Sequence, residues 1–210
     1  MRQVERARRA LLIIDAQNDF MPFGALPVAE GDAVIEVANE LAPRFDYVAA
    51  SQDWHPAGHL SFASSHSGCV AGDMVDLVGA KQVLWVDHCI QDTPGASFHS
   101  GLEVSHIDAV VKKGTDHGID SYSAFFDNNH ARSTGLVDLL RKEGITEVYA
   151  VGLATDYCVL FTVLDARKLG FSVAVVSDGV RGVNLRAGDD LKALDQMRKA
   201  GSRIVTSEEV

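Results

Sequence analysis

Asp15, the pair Lys112-Lys113 and Cys158 are residues whose types and surroundings suit covalent chemistry. Cys158 follows an apolar run, Val148–Val151, and a glycine-containing turn, Gly152-Leu-Ala-Thr-Asp-Tyr. It opens an apolar-faced stretch that stops at Gly170, with Thr155 and Asp156 as candidate N-caps. A thiol in the first turn of a helix faces the positive end of the helix dipole, which favours the thiolate. The same position equally suits a small buried hydrophobe. Asp15 ends the run Ala10–Ile14, where partial desolvation pushes a carboxyl pKa up unless a cation compensates, although a turn-forming cap would read the same way. Lys112 and Lys113 end the run Ala109–Val111. In a strand they point to opposite faces, so one can serve a site while the other is solvated, and periodicity does not choose between them.

An acid, a lysine and a thiol at the ends of three strands describe an acyl-transfer centre. Asp15 takes the thiol proton and later protonates a leaving amine, a lysine balances charge, and Cys158 attacks an acyl carbon. Backbone N–H groups around Ala154 and Cys158 would form an oxyanion hole, since free donors collect at a helix start.

A second constellation follows the run Tyr47–Ala50. In Ser51-Gln-Asp53-Trp-His55-Pro-Ala-Gly-His59, Asp53 and His55 lie two apart and share a face of extended chain. His88 comes later, in Leu84-Trp-Val-Asp-His88-Cys. Two imidazoles and a carboxylate suit Zn²⁺, Fe²⁺ or Mn²⁺ with open positions, and His59 is a fourth ligand or an outer group. Eight histidines make chance clustering the competing reading. Cys69 and Cys89 read as structural, and His66, His99, His106, His117 and His130 carry no comparable spacing.

The positioning elements are legible as punctuation. Short Val/Ile-rich runs recur at Ala10–Ile14, Tyr47–Ala50, Ala109–Val111, Val148–Val151, Val173–Val176 and Ile204–Val205. They do not alternate cleanly with polar residues, as in strands buried on both faces. Amphipathic stripes lie between them: Val34, Ile35, Ala38, Leu41 and Ala42; Leu136, Leu139 and Leu140; Leu191, Leu194 and Met197. Three of the intervening helices end in cations followed by a glycine, at Gly144, Gly170 and Gly201. The reading is an α/β fold, a single-domain, Rossmann-like, three-layer arrangement with a mostly parallel six-stranded sheet flanked by helices. Residues 1–9 read as an N-terminal extension and 10–210 as one domain. Residues 52–107 break the rhythm as a long irregular insertion rich in His, Asp and both tryptophans.

The 210 residues carry a net charge of −10 without a basic block, which disfavours nucleic acid or an anionic membrane as partner. No apolar run approaches the roughly 20 residues that span a bilayer, and the basic leader lacks the core of a secretory signal. Three cysteines without a CxxC motif point to a reduced, cytoplasmic protein. The sequence is compatible with a monomer or a homo-oligomer.

Taken together, Ile13-Ile-Asp15-Ala-Gln-Asn-Asp-Phe20, Asp53-Trp-His55, His88-Cys, Lys113-Gly and Gly152-Leu-Ala-Thr-Asp-Tyr-Cys158 resemble the nicotinamidases among the isochorismatase-like cysteine hydrolases. The resemblance runs from about residue 10 to residue 180, and Ser121–Asn128 looks like the bacterial branch. It implies hydrolysis of nicotinamide to nicotinate and ammonia through a cysteine thioester, with pyrazinamide as a second substrate. It selects Lys113 over Lys112, so that Asp15, Lys113 and Cys158 form the triad. It makes Asp53, His55 and His88 the ligands of one divalent metal ion, zinc first and iron or manganese next, and places a cis peptide at Leu153–Ala154. Phe20 and Trp85, with Tyr122 nearby, would be the aromatic walls of the substrate slot, while Phe125 and Phe126 read as core. The Ala63–Gly79 stretch matches only loosely. Readings left open by the residues are a related amidohydrolase for another small amide or carbamoyl substrate, a noncatalytic nicotinamide- or metal-binding protein, and metal-activated water hydrolysis with a structural Cys158.

Overall fold

The computed structural model describes residues 7–210, so residues 1–6 of the N-terminal extension lie outside the described residues. The chain runs through β1 (Arg8–Ile14), α1 (Ala33–Leu41), β2 (Tyr47–Asp53), β3 (Met74–Leu77), β4 (Ala80–Val83) and β5 (Ala109–Lys113). It continues with α2 (Leu136–Lys142), β6 (Ile145–Leu153), α3 (Leu160–Lys168), β7 (Ser172–Arg181), α4 (Asp189–Lys199) and β8 (Arg203–Val205). Six strands form one parallel sheet in the order β5-β2-β1-β6-β7-β8. All six apolar runs read from the sequence are strands of this sheet.

The strands are apolar on both sides because the sheet is covered on both sides. Leu11 and Ile13 of β1 pack with α1 residues Val34, Ile35, Ala38 and Leu41. Ala10, Leu12 and Ile14 face the other way, against α2, α3 and α4 through Leu136, Leu140, Val163 and Met197. In α4 the stripe differs from the sequence reading. Leu191 is 67% exposed, and the buried face is Ala193 and Met197 with Leu194 partly packed. Three helices end as their glycines dictate, with Gly144, Gly170 and Gly201 at φ of 66°, 93° and 88°.

Successive strands β1, β2 and β5 step one way from the centre, and β6 returns to pair with β1 on its other side. The topological switch therefore lies between the carboxyl ends of β1 and β6, where open α/β sheets bind ligands. Gly152 makes this approach feasible. At φ 113° it sits opposite Ile14, and a Cβ there would collide with the Ile14 backbone. The insertion between β2 and β5 is more regular than its composition suggests, since it contains the antiparallel hairpin β3–β4.

Candidate active site

Asp15 follows the last residue of β1 and adopts φ 48°, the left-handed region that short polar side chains tolerate and that clusters at functional sites. Its carboxylate is fully buried. Oδ1 accepts a hydrogen bond from Ser51 Oγ on the neighbouring β2 at 2.7 Å. Oδ2 lies 2.8 Å from Lys113 Nζ, an ion pair outside the angular range of a hydrogen bond. Lys113 ends β5 and is itself buried, whereas Lys112 points to the outer face and rests 3.4 Å over the Trp54 ring. The alternation expected of a strand thus separates the two lysines. Lys113 Nζ also donates to Asp53 Oδ1, to the Ser121 carbonyl at 3.0 Å and to Cys158 Sγ at 3.3 Å.

Cys158 sits in a π-turn, Thr155–Val159, that precedes α3. The Ala154 carbonyl takes the N–H groups of Tyr157 and Val159, skipping the Cys158 N–H between them. Neither Thr155 nor Asp156 caps this turn. Asp156 instead accepts the Val183 and Asn184 N–H groups, each at 2.8 Å, and so pins the loop after β7 beside the thiol. The Leu153–Ala154 peptide is cis. Carboxylate oxygens of Asp15 and Asp53 and the Cys158 sulfur lie within 4.8 Å of one another.

The electrostatics differ from what a helix-start thiol alone suggests. Burial pushes the Cys158 thiol well up; Lys113 opposes this, and the nearby Asp15 and Asp53 carboxylates add to it. At rest the sulfur therefore keeps its proton, because desolvation and two acids outweigh one ammonium. Burial also raises Asp15, against the pull of Lys113. Burial works against the Lys113 charge, yet Asp15 and Asp53 together hold the ammonium well above its ordinary value. At Asp53 burial is overcome by Lys113 and His55, which hold its carboxyl well below the usual range.

Asp53 ends β2 in register with Lys113 and turns its second oxygen towards two imidazoles. His55 Nε2 and His88 Nε2 each lie 3.8 Å from Asp53 Oδ2, too far for a hydrogen bond but close enough for three donors to share one small cation. The far nitrogens fix the ring tautomers. His55 Nδ1 meets the Gly114 carbonyl at 3.0 Å and His88 Nδ1 meets the Val86 carbonyl at 2.7 Å. A carbonyl only accepts, so each Nδ1 carries a hydrogen and each Nε2 is the atom left to face a cation, the usual outer support of metal-bound histidine. Gly114, at φ 64°, lets the His55 ring lie against the backbone, where any Cβ would strike it. Gln17 holds Asp53 from behind, its Nε2 donating to the Asp53 carbonyl and its Oε1 accepting the Asp53 N–H, both at 2.8 Å.

His59 is fully buried with its ring 4.6 Å from that of His55. Its Nδ1 accepts the Ser61 N–H at 3.0 Å, so its hydrogen is on Nε2, which has no partner among the described residues. Neither nitrogen offers a free lone pair, and His59 does not converge with the other three donors.

A pocket joins the two constellations. Cys158 and Ala154 line it together with Asp53 and His88, and Phe20, Trp85 and Tyr122 form aromatic walls. Four further lining residues escaped the sequence reading: Leu26, Asp120, Tyr157 and Val183. Tyr157 adjoins Cys158 and was open to inference. Asp120 comes seven residues after Lys113 and places Oδ1 4.0 Å from His55 Nε2. Leu26 and Val183 arrive from long loops and carry no local signal. Phe125 is core, stacked on Phe171, while Phe126 is half-buried against His130. Cys89 is buried and its N–H is held by Asp19 Oδ2 at 2.7 Å.

The Isochorismatase domain matches residues 9–209. A nicotinamidase of Escherichia coli strain K12 is 50% identical over 202 residues, covering 94% of each chain. Among solved structures, an Acinetobacter baumanii nicotinamidase and pyrazinamidase superimposes with a TM-score of 0.93 at 41% identity, over 98% of this chain and 99% of that one. A Pyrococcus horikoshii pyrazinamidase in complex with zinc superimposes with a TM-score of 0.76 at 36% identity, over 95% of this chain and 99% of that one. With the matched domain running from β1 to the last residues, the chain belongs to the isochorismatase family.

Proposed function

We propose that this protein is a nicotinamidase, hydrolysing nicotinamide to nicotinate and ammonia through a thioester on Cys158. The observation that carries the reading is one buried ammonium, Lys113, touching both the Asp15 carboxylate and the Cys158 sulfur beneath an aromatic slot. The high identity to nicotinamidases over nearly the whole chain supports the substrate.

The steps follow from the positions. The planar ring lies between Phe20, Trp85 and Tyr122 with its carboxamide over Cys158. Asp15 takes the thiol proton as sulfur bonds to the carboxamide carbon, and the carbonyl π pair moves onto oxygen. The Ala154 and Cys158 N–H groups hold that oxyanion. Asp15 returns the proton to nitrogen, the C–N bond breaks and ammonia leaves. Asp15 then takes a proton from water as its oxygen attacks the thioester carbon. The carbon–sulfur bond breaks, the thiol regains the proton from Asp15, and the released acid gives its own proton to solvent to become nicotinate. Lys113 stays charged and keeps a net positive partner beside whichever of sulfur and carboxylate is anionic.

Asp53, His55 and His88 would hold one divalent cation, zinc in our reading, with His59 as an outer group rather than a ligand. When bound, it supplies a Lewis-acidic anchor for the ring nitrogen. A zinc complex of the Pyrococcus pyrazinamidase supports the metal, and the pyrazinamidase relatives support pyrazinamide as a second substrate. The three unpaired cysteines accord with a reducing, cytoplasmic setting, and residues 10–210 act as one hydrolase domain, to which Arg8 and Arg9 of the 1–9 extension are joined as the start of β1.

Ammonia release from nicotinamide, measured for the wild type and for Cys158→Ala, tests the reading. The variant should lose at least about 10³-fold in rate, as when a covalent nucleophile is removed. Near-normal turnover would refute the thioester. Ammonia from another amide but none from nicotinamide would assign a related amidohydrolase instead.

A further inference from the structure

The hairpin β3–β4 is exposed along most of its length, with Met74 and Val78 in solvent and Lys81 paired to Asp76 there. Gln82 on β4 is the exception, 4% exposed and directed inward. Its Nε2 has three oxygens within reach: the Val83 carbonyl at 2.8 Å, Asp120 Oδ2 at 3.0 Å and Tyr122 Oη at 2.9 Å. Its Oε1 accepts from Asn128 Nδ2 at 3.3 Å. The amide cannot be turned over, because its oxygen would then face a carbonyl and a carboxylate, neither of which donates.

The Tyr122 hydroxyl oxygen receives a second N–H, from Trp85 Nε1 at 3.2 Å. Neither the Gln82 amide nitrogen nor the Trp85 indole nitrogen accepts, so the phenolic hydrogen is turned away from both. Among the described residues no acceptor takes that hydrogen, and Tyr122 lines the pocket that holds Cys158. Tyr122 is half-buried, and a hydroxyl in a ligand pocket whose hydrogen lacks a protein partner is a donor held ready for the ligand.

We propose that Gln82 is a positioning residue for the substrate slot: with Trp85 it fixes the Tyr122 hydroxyl so that its hydrogen is donated to an acceptor atom of the bound aromatic amide. This rests on the nicotinamidase reading. It gives the otherwise exposed hairpin a part in recognition, delivered through one side chain. Simple stapling of the hairpin to the loop around Asn128 is the rival account, and it predicts different kinetics.

The test is steady-state hydrolysis of nicotinamide by the full chain and by Tyr122→Phe, Gln82→Leu and the double variant, with Asp76→Ala as a control in the same hairpin. Each single variant should lose about 10-fold in kcat/KM, carried by KM, as for one hydrogen bond equal in ground and transition states. The double variant should be no worse than Tyr122→Phe, because Gln82 acts through that hydroxyl, and Asp76→Ala should retain wild-type kinetics. A double variant that loses about 100-fold makes the two effects independent and overturns the proposal. Should Gln82→Leu fail to fold, Tyr122→Phe decides alone, and an unchanged KM overturns the proposal. Wild-type protein that releases no ammonia from nicotinamide overturns the parent reading and this one with it. Wild-type turnover with additive losses overturns this one only.

Discussion

Cys158 is inert by burial and reactive by company. Desolvation and the neighbouring carboxylates keep its proton on sulfur, so the nucleophile is a thiol with a base beside it rather than a standing thiolate. This moves the pH dependence onto Asp15. Burial raises the Asp15 pKa, with Lys113 opposing, and the carboxyl must be ionised to accept the thiol proton. Activity is therefore present above that raised value and lost as pH falls through it. The acid limb of kcat/KM should inflect above 3.8, the ordinary aspartate value, and a limb at or below it would contradict the assignment. Asp15→Asn should lower kcat by about 10³-fold or more at every pH, since the proton then has no acceptor. The paired test matters because Asn keeps the side-chain volume at a fully buried position.

At the scale of elements, chemistry is delivered by strand ends, and the strands approach only because particular residues allow it. Gly152 holds β6 against Ile14, one residue before Asp15. Gly152→Ala would place a methyl group into the Ile14 backbone at φ 113°, so a destabilisation of about 2 kcal/mol or more is expected by urea unfolding. Activity should fall further than stability, because the displaced segment carries Asp15; wild-type kinetics in that variant would show that the approach is not needed. Such constraints mark how far the sequence could be read. Every strand of the sheet was legible, since burial on both faces leaves unbroken Val/Ile runs, and so were three helix ends, since cations followed by glycine encode them locally. Lys113 could be set apart from Lys112 only by resemblance, because alternation says that the two diverge and not which faces inward. The hairpin β3–β4 leaves little signal because its strands are only four residues each and mostly exposed, with Val75 and Leu77 no more than half-buried. Leu191 misled for the opposite reason: it fits the stripe in spacing, but α4 buries the face of Ala193 and Met197. Asp120, Leu26 and Val183 are brought to the pocket by tertiary folding alone, and nothing in their neighbours records it.

For the whole molecule, the three metal donors join the end of a central strand to the insertion, whose His88 segment is also tied to His55 by backbone hydrogen bonds. Asp53 ends a central strand and His55 follows it, whereas His88 lies deep in the insertion, beyond the small hairpin. The insertion reaches the core through a few residues, Leu84, Cys89, Ala96 and Leu102 among them. A cation shared by Asp53, His55 and His88 would bind the folded chain and not the unfolded one, so it must stabilise the fold by mass action. At a free metal concentration near 100 times Kd the gain is about 2.7 kcal/mol. For a domain of this size that corresponds to a rise in Tm of roughly 5–10 °C. Calorimetry of protein stripped with a chelator and then titrated with zinc should show Tm climbing with metal concentration. Asp53→Ala should remove the dependence, whereas Cys158→Ala, which keeps all three donors, should retain it. A Tm indifferent to zinc in the wild type would mean that the three donors do not form a metal site, however well their tautomers are arranged for one. A dependence that survives in Asp53→Ala would place the cation on other residues.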